Sequence, residues 1–193
     1  MSNQTKYIII GFNGSGKMAV ANKLREMGVK VGQTFRSTEF INNQYSISTT
    51  IYDAKEINNL FENQAYIFIK ESINKANKYY EGISLYEYQS HDVFVMTPDQ
   101  FNMVAKFDEN VVFVWLDNNT LQRKFRHRSE KRKYDFNRQE NVEKEYIHDF
   151  IDRIGDNSIL YFMNEEPDRV ATVIYSLIKH PDLLDTYLQT FGS

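Results

Sequence analysis

A glycine-rich segment near the start of the chain constrains the fold more than any other feature of the sequence. Residues 6–11 read KYIIIG, a short run of apolar and β-branched side chains that is typical of a parallel strand buried on both faces. Residues 11–17 read GFNGSGK, and the apolar side chains of the next ten residues recur at helical spacing up to Gly28, a common helix-ending residue. The sequence therefore predicts a strand, a glycine turn and a helix in direct succession.

This strand-turn-helix segment matches the pattern GxxxxGK. Its glycines allow backbone N–H groups to surround a polyphosphate, the helix N-terminus adds partial positive charge, and the Lys17 ammonium reaches the β and γ phosphates. We therefore expect a nucleotide-binding loop. The residues predicted to hold the nucleotide are Gly11, Asn13, Gly14, Ser15, Gly16, Lys17 and Met18.

Met18 occupies the position at which this pattern usually has a serine or threonine hydroxyl that ligates Mg²⁺. A thioether is a poor ligand for so hard a cation. Either the metal is held through water and nucleotide oxygens, or catalysis is weakened. The sequence predicts no side-chain metal ligand and supports nucleotide binding better than turnover.

Strand-like and helix-like segments alternate along the rest of the chain, which predicts an α/β fold with a mostly parallel sheet covered on both faces. Residues 36–88 interrupt this alternation with alternating segments, tyrosine pairs and one helical piece at 54–62, so we interpret them as a small inserted subdomain. The predicted strands are 92–96, 111–116 and 158–163, followed by predicted helices at 98–104, 119–128 and 167–178.

Composition excludes several classes of function. The 193 residues fit one domain, and the absence of cysteine excludes disulfides, thiolate metal sites and cysteine nucleophiles. No apolar stretch approaches the roughly 18 residues of a membrane-spanning helix, so we expect a cytoplasmic protein without membrane contact. The net charge of −3 predicts no general attraction to nucleic acid.

One short segment is strongly basic. Residues 123–133 read RKFRHRSEKRK and hold seven of the 23 basic side chains. Such a segment either binds an anion or forms a solvated helix face, and the residues alone favour neither.

Taken in order, these segments make nearly the whole chain resemble a guanylate kinase-like nucleoside monophosphate kinase. Residues 33–36, QTFR, resemble the family's HTTR, residues 44–47 fall where its HYFF strand lies, and residues 78–84 resemble its NYYGTS with one extra residue. The resemblance implies that Arg36, Tyr45 and either Tyr79 or Tyr80 contact the phosphate of the acceptor. Glu71 is the nearest carboxylate to the family's guanine-binding glutamate, whose place is taken by Ile67 and Phe68.

The resemblance also implies a lid and a donor-base contact. Residues 121–128 resemble the LxRRLxGR segment that opens the family's lid, and the turn after residue 163 resembles its VNDD turn beside the donor adenine. The implied architecture is a P-loop kinase three-layer fold with core 1–35 and 89–193, a monophosphate-binding insert at 36–88 and a basic lid at 123–140. The implied catalytic residues are Lys17, Lys124, Arg128 and Arg138, and the implied further donor contacts are Arg126 and Asn164.

The departures from this family leave three functions open. Where the family has DID after its central strand, this chain has Met96-Thr97-Pro98, so an acidic group is missing unless Asp99 replaces it. The first function is transfer of phosphoryl from ATP, with Mg²⁺, to a nucleoside or deoxynucleoside monophosphate. The others are a catalytically weakened binding module and a P-loop kinase acting on another acceptor. In each case we expect small-molecule nucleotides as ligands and a monomer or homodimer.

Overall fold

Two β-sheets organise the part of the chain that the computed structural model describes. The described residues are 5–12, 14–37, 49–74, 77–97, 100, 103–104, 111–117, 159–163 and 165–191. They belong to two compact units, one within Asn3–Val31 and Asp92–Ser193 and the other within Gly32–His91. The insert predicted at 36–88 falls within the second unit.

In chain order the elements are β1 (Lys6–Gly11), α1 (Lys17–Glu26), β2 (Thr34–Ser37), β3 (Thr49–Tyr52), α2 (Ala54–Glu62), β4 (Tyr66–Asn74), β5 (Asn77–Ser84), α3 (Leu85–Ser90), β6 (Val93–Val95), β7 (Val111–Asp117), β8 (Ile159–Met163), α4 (Pro167–Lys179) and α5 (Leu184–Phe191). A single 3₁₀ turn at Pro181–Leu183 separates α4 from α5.

The sheet of the first unit consists of four parallel strands in the order β6-β1-β7-β8. Because β1 lies between two neighbours, all six of its residues are buried, which explains the continuous apolar run in the sequence. Alternate residues such as Ile9 and Val114 pack against Leu24 of α1 and Ile174 of α4. The predicted α/β fold with a mainly parallel sheet is confirmed.

The second unit has a mixed sheet in the order β3-β2-β5-β4. β2 runs parallel to β3 and antiparallel to β5, while β4 and β5 form an antiparallel hairpin. A capping box of Asp53 and Glu56 begins α2, and this helix packs Ile57 and Leu60 against Phe35 of β2. The second unit therefore has a small hydrophobic core of its own.

Most predicted elements that fall on described residues agree with the structure to within one or two residues. The helix at 54–62 and the first strand have the predicted bounds, and the helix predicted at 167–178 extends to Lys179. Most of the helix predicted at 98–104 and all of the helix predicted at 119–128 lie outside the described residues. The sequence analysis did not predict α3 or α5. With six and eight residues, these helices are too short to show a clear helical period in the sequence.

None of the helices in the described part of the chain combines the length and the apolar character that crossing a lipid bilayer requires.

Candidate functional site

The glycine loop begins where β1 passes very close to β7. Gly11 pairs with Leu116, and a Cβ atom added to Gly11 would lie 2.4 Å from the Leu116 carbonyl oxygen and 2.9 Å from Ser15 Oγ. Neither contact is possible for a real side chain, so only glycine fits at this strand end. The Ser15 N–H donates to the Phe12 carbonyl oxygen at 3.1 Å, which turns the chain back towards α1.

Helix α1 begins at the end of this loop. Its N-cap residue, Gly16, has the left-handed conformation with φ of 102°, which a residue with a Cβ atom adopts only at a cost. The first turn of α1 contains no acidic side chain, so nothing on the helix itself offsets the partial positive charge of its N-terminus. The loop therefore ends at a helix terminus suited to an anion.

Lys17 is the first residue of α1, and its ammonium is directed back over the loop. The Nζ atom donates hydrogen bonds to the carbonyl oxygens of Gly11 at 2.6 Å and of Phe12 at 2.8 Å, and the side chain is buried. A cation is thus held among the backbone groups of the glycine loop. This arrangement fits the polyphosphate of a nucleotide, whose oxygens can replace the two carbonyls as acceptors.

The described residues offer little for a metal ion at this loop. Met18 is half-buried, and Met96, at the end of the neighbouring strand β6, is fully buried. The Thr97 N–H donates to Gln100 Oε1 at 3.2 Å, so an amide side chain caps the backbone after this strand. Within the described ranges no three His, Cys, Asp or Glu residues cluster as metal ligands. A Mg²⁺ ion bound together with a nucleotide would need no complete protein cage, because waters and phosphate oxygens would supply most of its ligands.

A small cleft lies beside the glycine loop. It extends over the ends of β7 and β8 to the start of α4. Its lining residues are Ser15, Gly16, Val20, Leu116, Asp117, Phe162, Glu165, Pro167 and Val170.

Two carboxylates line this cleft, and both already have a partner. Asp117 accepts a hydrogen bond from the Tyr161 hydroxyl at 2.8 Å, and Glu165 binds Arg169 through both oxygens at 2.9 and 3.0 Å. Burial, together with the neighbouring Asp117, raises the pKa of Tyr161 to about 12, so its hydroxyl stays protonated and keeps donating. A carboxylate accepts several hydrogen bonds, so Asp117 still suits a ligand hydroxyl or N–H group.

Sequence reasoning did not single out Asp117 or Tyr161. The two side chains meet because β7 and β8 pair in parallel, with Trp115 opposite Tyr161 and Asp117 opposite Met163. The two residues are 44 positions apart in the chain, so no local pattern predicts their contact. Only the strand register reveals it.

In the second unit, Arg36 forms part of a row of charges across three adjacent strands. Glu81 of β5 lies directly opposite Arg36 of β2, and the two side chains contact each other at 3.3 Å. Lys70 of β4 lies opposite Glu81 on the other side, at 3.8 Å. The Glu81 side chain is only 9% exposed, whereas Arg36 and Lys70 are 32% and 31% exposed.

The strand register divides the predicted acceptor residues between the two faces of this sheet. Side chains alternate along β5, so Tyr79 lies on the face of Glu81 and Arg36. Tyr80 lies on the opposite face, where it packs edge-on against Phe61 of α2. Glu71 is paired with Tyr80 and shares that opposite face. Of the two tyrosines that the sequence left open, Tyr79 is therefore the one on the Arg36 face.

The remaining predicted site residues lie outside the described part of the chain. The same holds for Asp99 and for the whole predicted lid at 123–140. The roles of all these residues stay predictions. These residues are Asn13, Tyr45, Lys124, Arg126, Arg128, Arg138 and Asn164.

The fold is similar to that of a known kinase. The crystal structure of guanylate kinase from Anaplasma phagocytophilum superimposes with a TM-score of 0.56 at 14% sequence identity, covering 92% of this chain and 86% of that one. Two further structures also match. A sugar kinase from Janibacter sp. has a TM-score of 0.46 at 12% identity, covering 95% of this chain and 98% of that one. An uncharacterized protein from Eubacterium ventriosum has a TM-score of 0.47 at 17% identity, covering 92% of this chain and 99% of that one. The sequence matches no protein-family model and no curated protein. The chain thus has a P-loop kinase-like fold, and at this identity the likeness extends to the fold alone.

Proposed function

We propose that this protein is a phosphotransferase that moves the γ phosphoryl group of ATP to a nucleoside or deoxynucleoside monophosphate. The products are ADP and a nucleoside diphosphate. The observation that carries this proposal is the buried Lys17 ammonium, held 2.6 and 2.8 Å from two carbonyl oxygens of the glycine loop at the head of α1. The kinase-like fold supports the same class of reaction.

In the proposed reaction the glycine loop holds the donor. Phosphate oxygens replace the carbonyls of Gly11 and Phe12 as acceptors for Lys17, and the N-terminus of α1 faces the same phosphates. Bound Mg²⁺ supplies further neutralisation of phosphate charge. The cleft beside the loop, with Asp117 at the end of β7, suits the nucleoside part of the donor.

The proposed acceptor is held through its phosphate. Arg36 donates charge-assisted hydrogen bonds to it, and Tyr79 adds a hydroxyl from the same face of the sheet. The acceptor phosphate is already ionised, so the reaction requires positioning and charge neutralisation rather than a general base. We propose Lys124, Arg126, Arg128 and Arg138 of the lid as the remaining cations and Asn164 as a contact to the donor base.

The division of residues between sheet faces bears on the acceptor base. A monophosphate bound by Arg36 and Tyr79 on one face does not reach Glu71 or Tyr80 on the other. A site specific for guanine requires a carboxylate that accepts hydrogen bonds from the guanine edge. We therefore propose an acceptor site that is not specific for guanine. We also propose Tyr45 as a further contact to the acceptor phosphate.

Product analysis tests this proposal. The protein is incubated with ATP, Mg²⁺ and each common ribo- and deoxyribonucleoside monophosphate, and both diphosphate products are separated and quantified. We expect ADP and a second nucleoside diphosphate in equal amounts, and far less of both products with Lys17→Ala. Equal ATP affinity of wild type and Lys17→Ala by calorimetry would overturn the assignment of the donor loop.

A second function, a nucleotide-binding module with weak or no catalysis, is favoured by two specific observations. Met18 replaces the usual hydroxyl, and strand β6 is followed by Met96 and Thr97 rather than by a carboxylate. For such a module, ATP would raise the melting temperature while no second diphosphate formed with any acceptor. Consumption of ATP only with a different phosphate acceptor would instead identify a P-loop kinase with another substrate.

The variant Arg36→Ala tests whether the acceptor monophosphate and the donor ATP bind at different sites. Loss of one charged hydrogen bond worth about 1.5 to 3 kcal/mol should weaken monophosphate binding by roughly 10- to 100-fold, with ATP affinity unchanged. Lys55→Ala, which removes an exposed cation from α2, serves as the control. A mutant that lost ATP affinity and kept monophosphate affinity would show that the two sites are assigned backwards.

A further inference from the structure

The glycine loop contains one large apolar side chain, that of Phe12. Residues 11–17 read GFNGSGK, so three of these seven positions are glycines and only Phe12 is apolar. Glycines give a loop conformational freedom, which the loop must lose before it can hold a ligand. The Phe12 side chain is buried, so it can anchor the loop to the interior of the first unit.

The Phe12 ring packs against Trp115 of β7. The two ring centroids lie 5.7 Å apart and the ring planes meet at 81°, an edge-to-face arrangement that aromatic side chains favour. Trp115 is also buried, and it lies opposite Ile10 of β1 and Tyr161 of β8. A residue of the glycine loop is thereby attached to an interior strand of the parallel sheet.

The ring packing keeps the Phe12 carbonyl group in place. This carbonyl oxygen accepts hydrogen bonds from Lys17 Nζ at 2.8 Å and from the Ser15 N–H at 3.1 Å. The first donor is the cation that we assign to the phosphates, and the second belongs to the turn that leads into α1. The position of one carbonyl group therefore determines where the ammonium rests and how the loop turns.

We propose that Trp115 is a positioning residue for nucleotide binding, which acts through the Phe12 ring on the shape of the glycine loop. The proposal rests on the part of the proposed function that assigns the nucleotide phosphates to this loop. It does not require phosphoryl transfer, and it does not require Trp115 to touch the nucleotide. The pattern GxxxxGK leaves its second position open, so the sequence pattern assigns no role to Phe12 or to its partner on β7.

Packing of Phe12 on Trp115 favours binding because the loop is ordered before the ligand arrives. A glycine loop without this anchor would lose more backbone freedom on binding a polyphosphate, and the loss would weaken the complex. Trp115→Leu keeps an apolar side chain on β7 but removes the partner ring. ATP should therefore bind about 3- to 10-fold more weakly, and Trp115→Phe, which retains a ring, should recover most of the affinity.

Calorimetry with ATP and with pyrophosphate measures this effect. Pyrophosphate has no nucleoside part, so we expect equal losses with the two ligands if the change lies in the loop. Phe113→Leu is the matched control, because Phe113 is a buried ring on the same face of β7, opposite Ile8 in the middle of β1. This variant should lower the melting temperature and leave both affinities unchanged.

A double-mutant cycle tests whether Trp115 acts through Phe12. Phe12→Leu should weaken ATP binding by about the same factor as Trp115→Leu, and the double variant should bind no more weakly than either single variant. Losses that multiply in the double variant would overturn the proposal, because Trp115 would then act by another route. A folded Trp115→Leu protein with wild-type affinity for both ligands would overturn it as well.

Fluorescence tests the contact itself, because Trp115 is the only tryptophan in the chain. Phe12→Ala removes the neighbouring ring, so acrylamide should quench the emission of Trp115 more strongly than in wild type. Equal quenching in the two proteins would show that Phe12 does not cover the indole, and the proposal would fail. In steady-state assays Trp115→Leu should raise the KM for ATP and leave the KM for the monophosphate unchanged.

Failure of this proposal is distinct from failure of the proposed function. If wild type forms no second diphosphate but ATP and pyrophosphate still bind more weakly to Trp115→Leu, the positioning role stands and the kinase reaction does not. If products form normally and Trp115→Leu keeps the wild-type KM for ATP, the kinase reaction stands and Trp115 has no part in it.

Discussion

The Gly11 carbonyl oxygen accepts a hydrogen bond of 2.6 Å from the Lys17 ammonium, which ties the end of β1 to the first residue of α1. The same ammonium also donates to the Phe12 carbonyl oxygen at 2.8 Å, so two backbone oxygens hold it over the loop. A polyphosphate that enters the loop must replace these contacts. Lys17 therefore contributes both to the stability of the loop and to ligand affinity, and the two contributions can be measured separately.

We predict that Lys17→Ala reduces phosphoryl transfer by on the order of 100- to 1000-fold, because it removes a cation directed at the transferring group. The loss of its two buried hydrogen bonds also predicts a decrease in stability of about 1 to 3 kcal/mol. Assays at saturating substrate and urea unfolding measure the two effects.

Lys23→Ala is the matched control for Lys17→Ala. Lys23 lies on the same helix, but its side chain is 44% exposed, and it pairs with Glu26 and Asp168 at 3.2 and 3.4 Å. Exposed ion pairs contribute little, so activity should be unchanged. A comparable loss of activity in both variants would mean that helix charge, rather than the position of Lys17, is responsible.

We predict that Gly11→Ala is far more damaging than Gly28→Ala. The added methyl group at Gly11 would lie 2.4 Å from the Leu116 carbonyl oxygen, and the backbone of a central strand cannot move aside. At Gly28 nothing lies within 4 Å, so only the left-handed conformation with φ of 81° costs energy. We expect about 1 kcal/mol for Gly28→Ala and about 3 kcal/mol or more for Gly11→Ala.

Chemical unfolding of the two alanine variants decides this prediction, and ATP binding adds a second readout. Gly11→Ala should lose ATP affinity because the loop must shift, whereas Gly28→Ala should keep it. Equal stability of both variants would mean that β1 and β7 separate more easily than their register implies.

We predict that Met18→Thr lowers the Mg²⁺ concentration required for half-maximal rate. A hydroxyl is a better ligand than a thioether for this hard cation. Met18 is half-buried at the start of α1, so the melting temperature of the variant must be measured beside its activity. An unchanged Mg²⁺ requirement in a well-folded variant would mean that the missing hydroxyl is compensated elsewhere.

We predict that stability falls steeply in alkaline solution and that Tyr7 accounts for part of the fall. Burial raises the pKa of Tyr7 from 10.0 to about 12, so the folded state holds this proton more tightly than the unfolded state does. The free energy of unfolding is therefore unaffected below pH 10 and decreases between pH 10 and pH 12. The decrease should reach roughly 2 to 3 kcal/mol.

Tyr7→Phe is the variant that isolates this contribution, because it keeps the ring in the core and removes the ionisable hydroxyl. Urea unfolding at a series of pH values should show a shallower alkaline loss than in wild type. Identical pH profiles of the two proteins would assign the alkaline loss to other groups.

The sequence predicts the first unit better than the second for a physical reason. A parallel strand buried on both faces, such as β1, is a continuous apolar run, and the glycine loop and α1 follow it within a few residues. Each of these signals is local. The bounds of β1, β7 and α4 therefore agree with the sequence prediction to within one or two residues.

The contacts that the sequence could not predict depend on strand register. Glu81 meets Arg36 and Lys70, and Asp117 meets Tyr161, only because particular residues of separate strands lie opposite or diagonal to one another. A shift of one residue would move each side chain to the other face of the sheet. For the same reason the sequence could not decide between Tyr79 and Tyr80.

The strand order of the first unit has a consequence for synthesis on the ribosome. β1 is complete at Gly11, but both of its neighbours come much later in the chain, β6 at Val93–Val95 and β7 at Val111–Asp117. The second unit is continuous from Gly32 to His91, and its hairpin joins adjacent strands. We expect the second unit to emerge and fold first, while the apolar β1 awaits its partners and is exposed to chaperones and to aggregation.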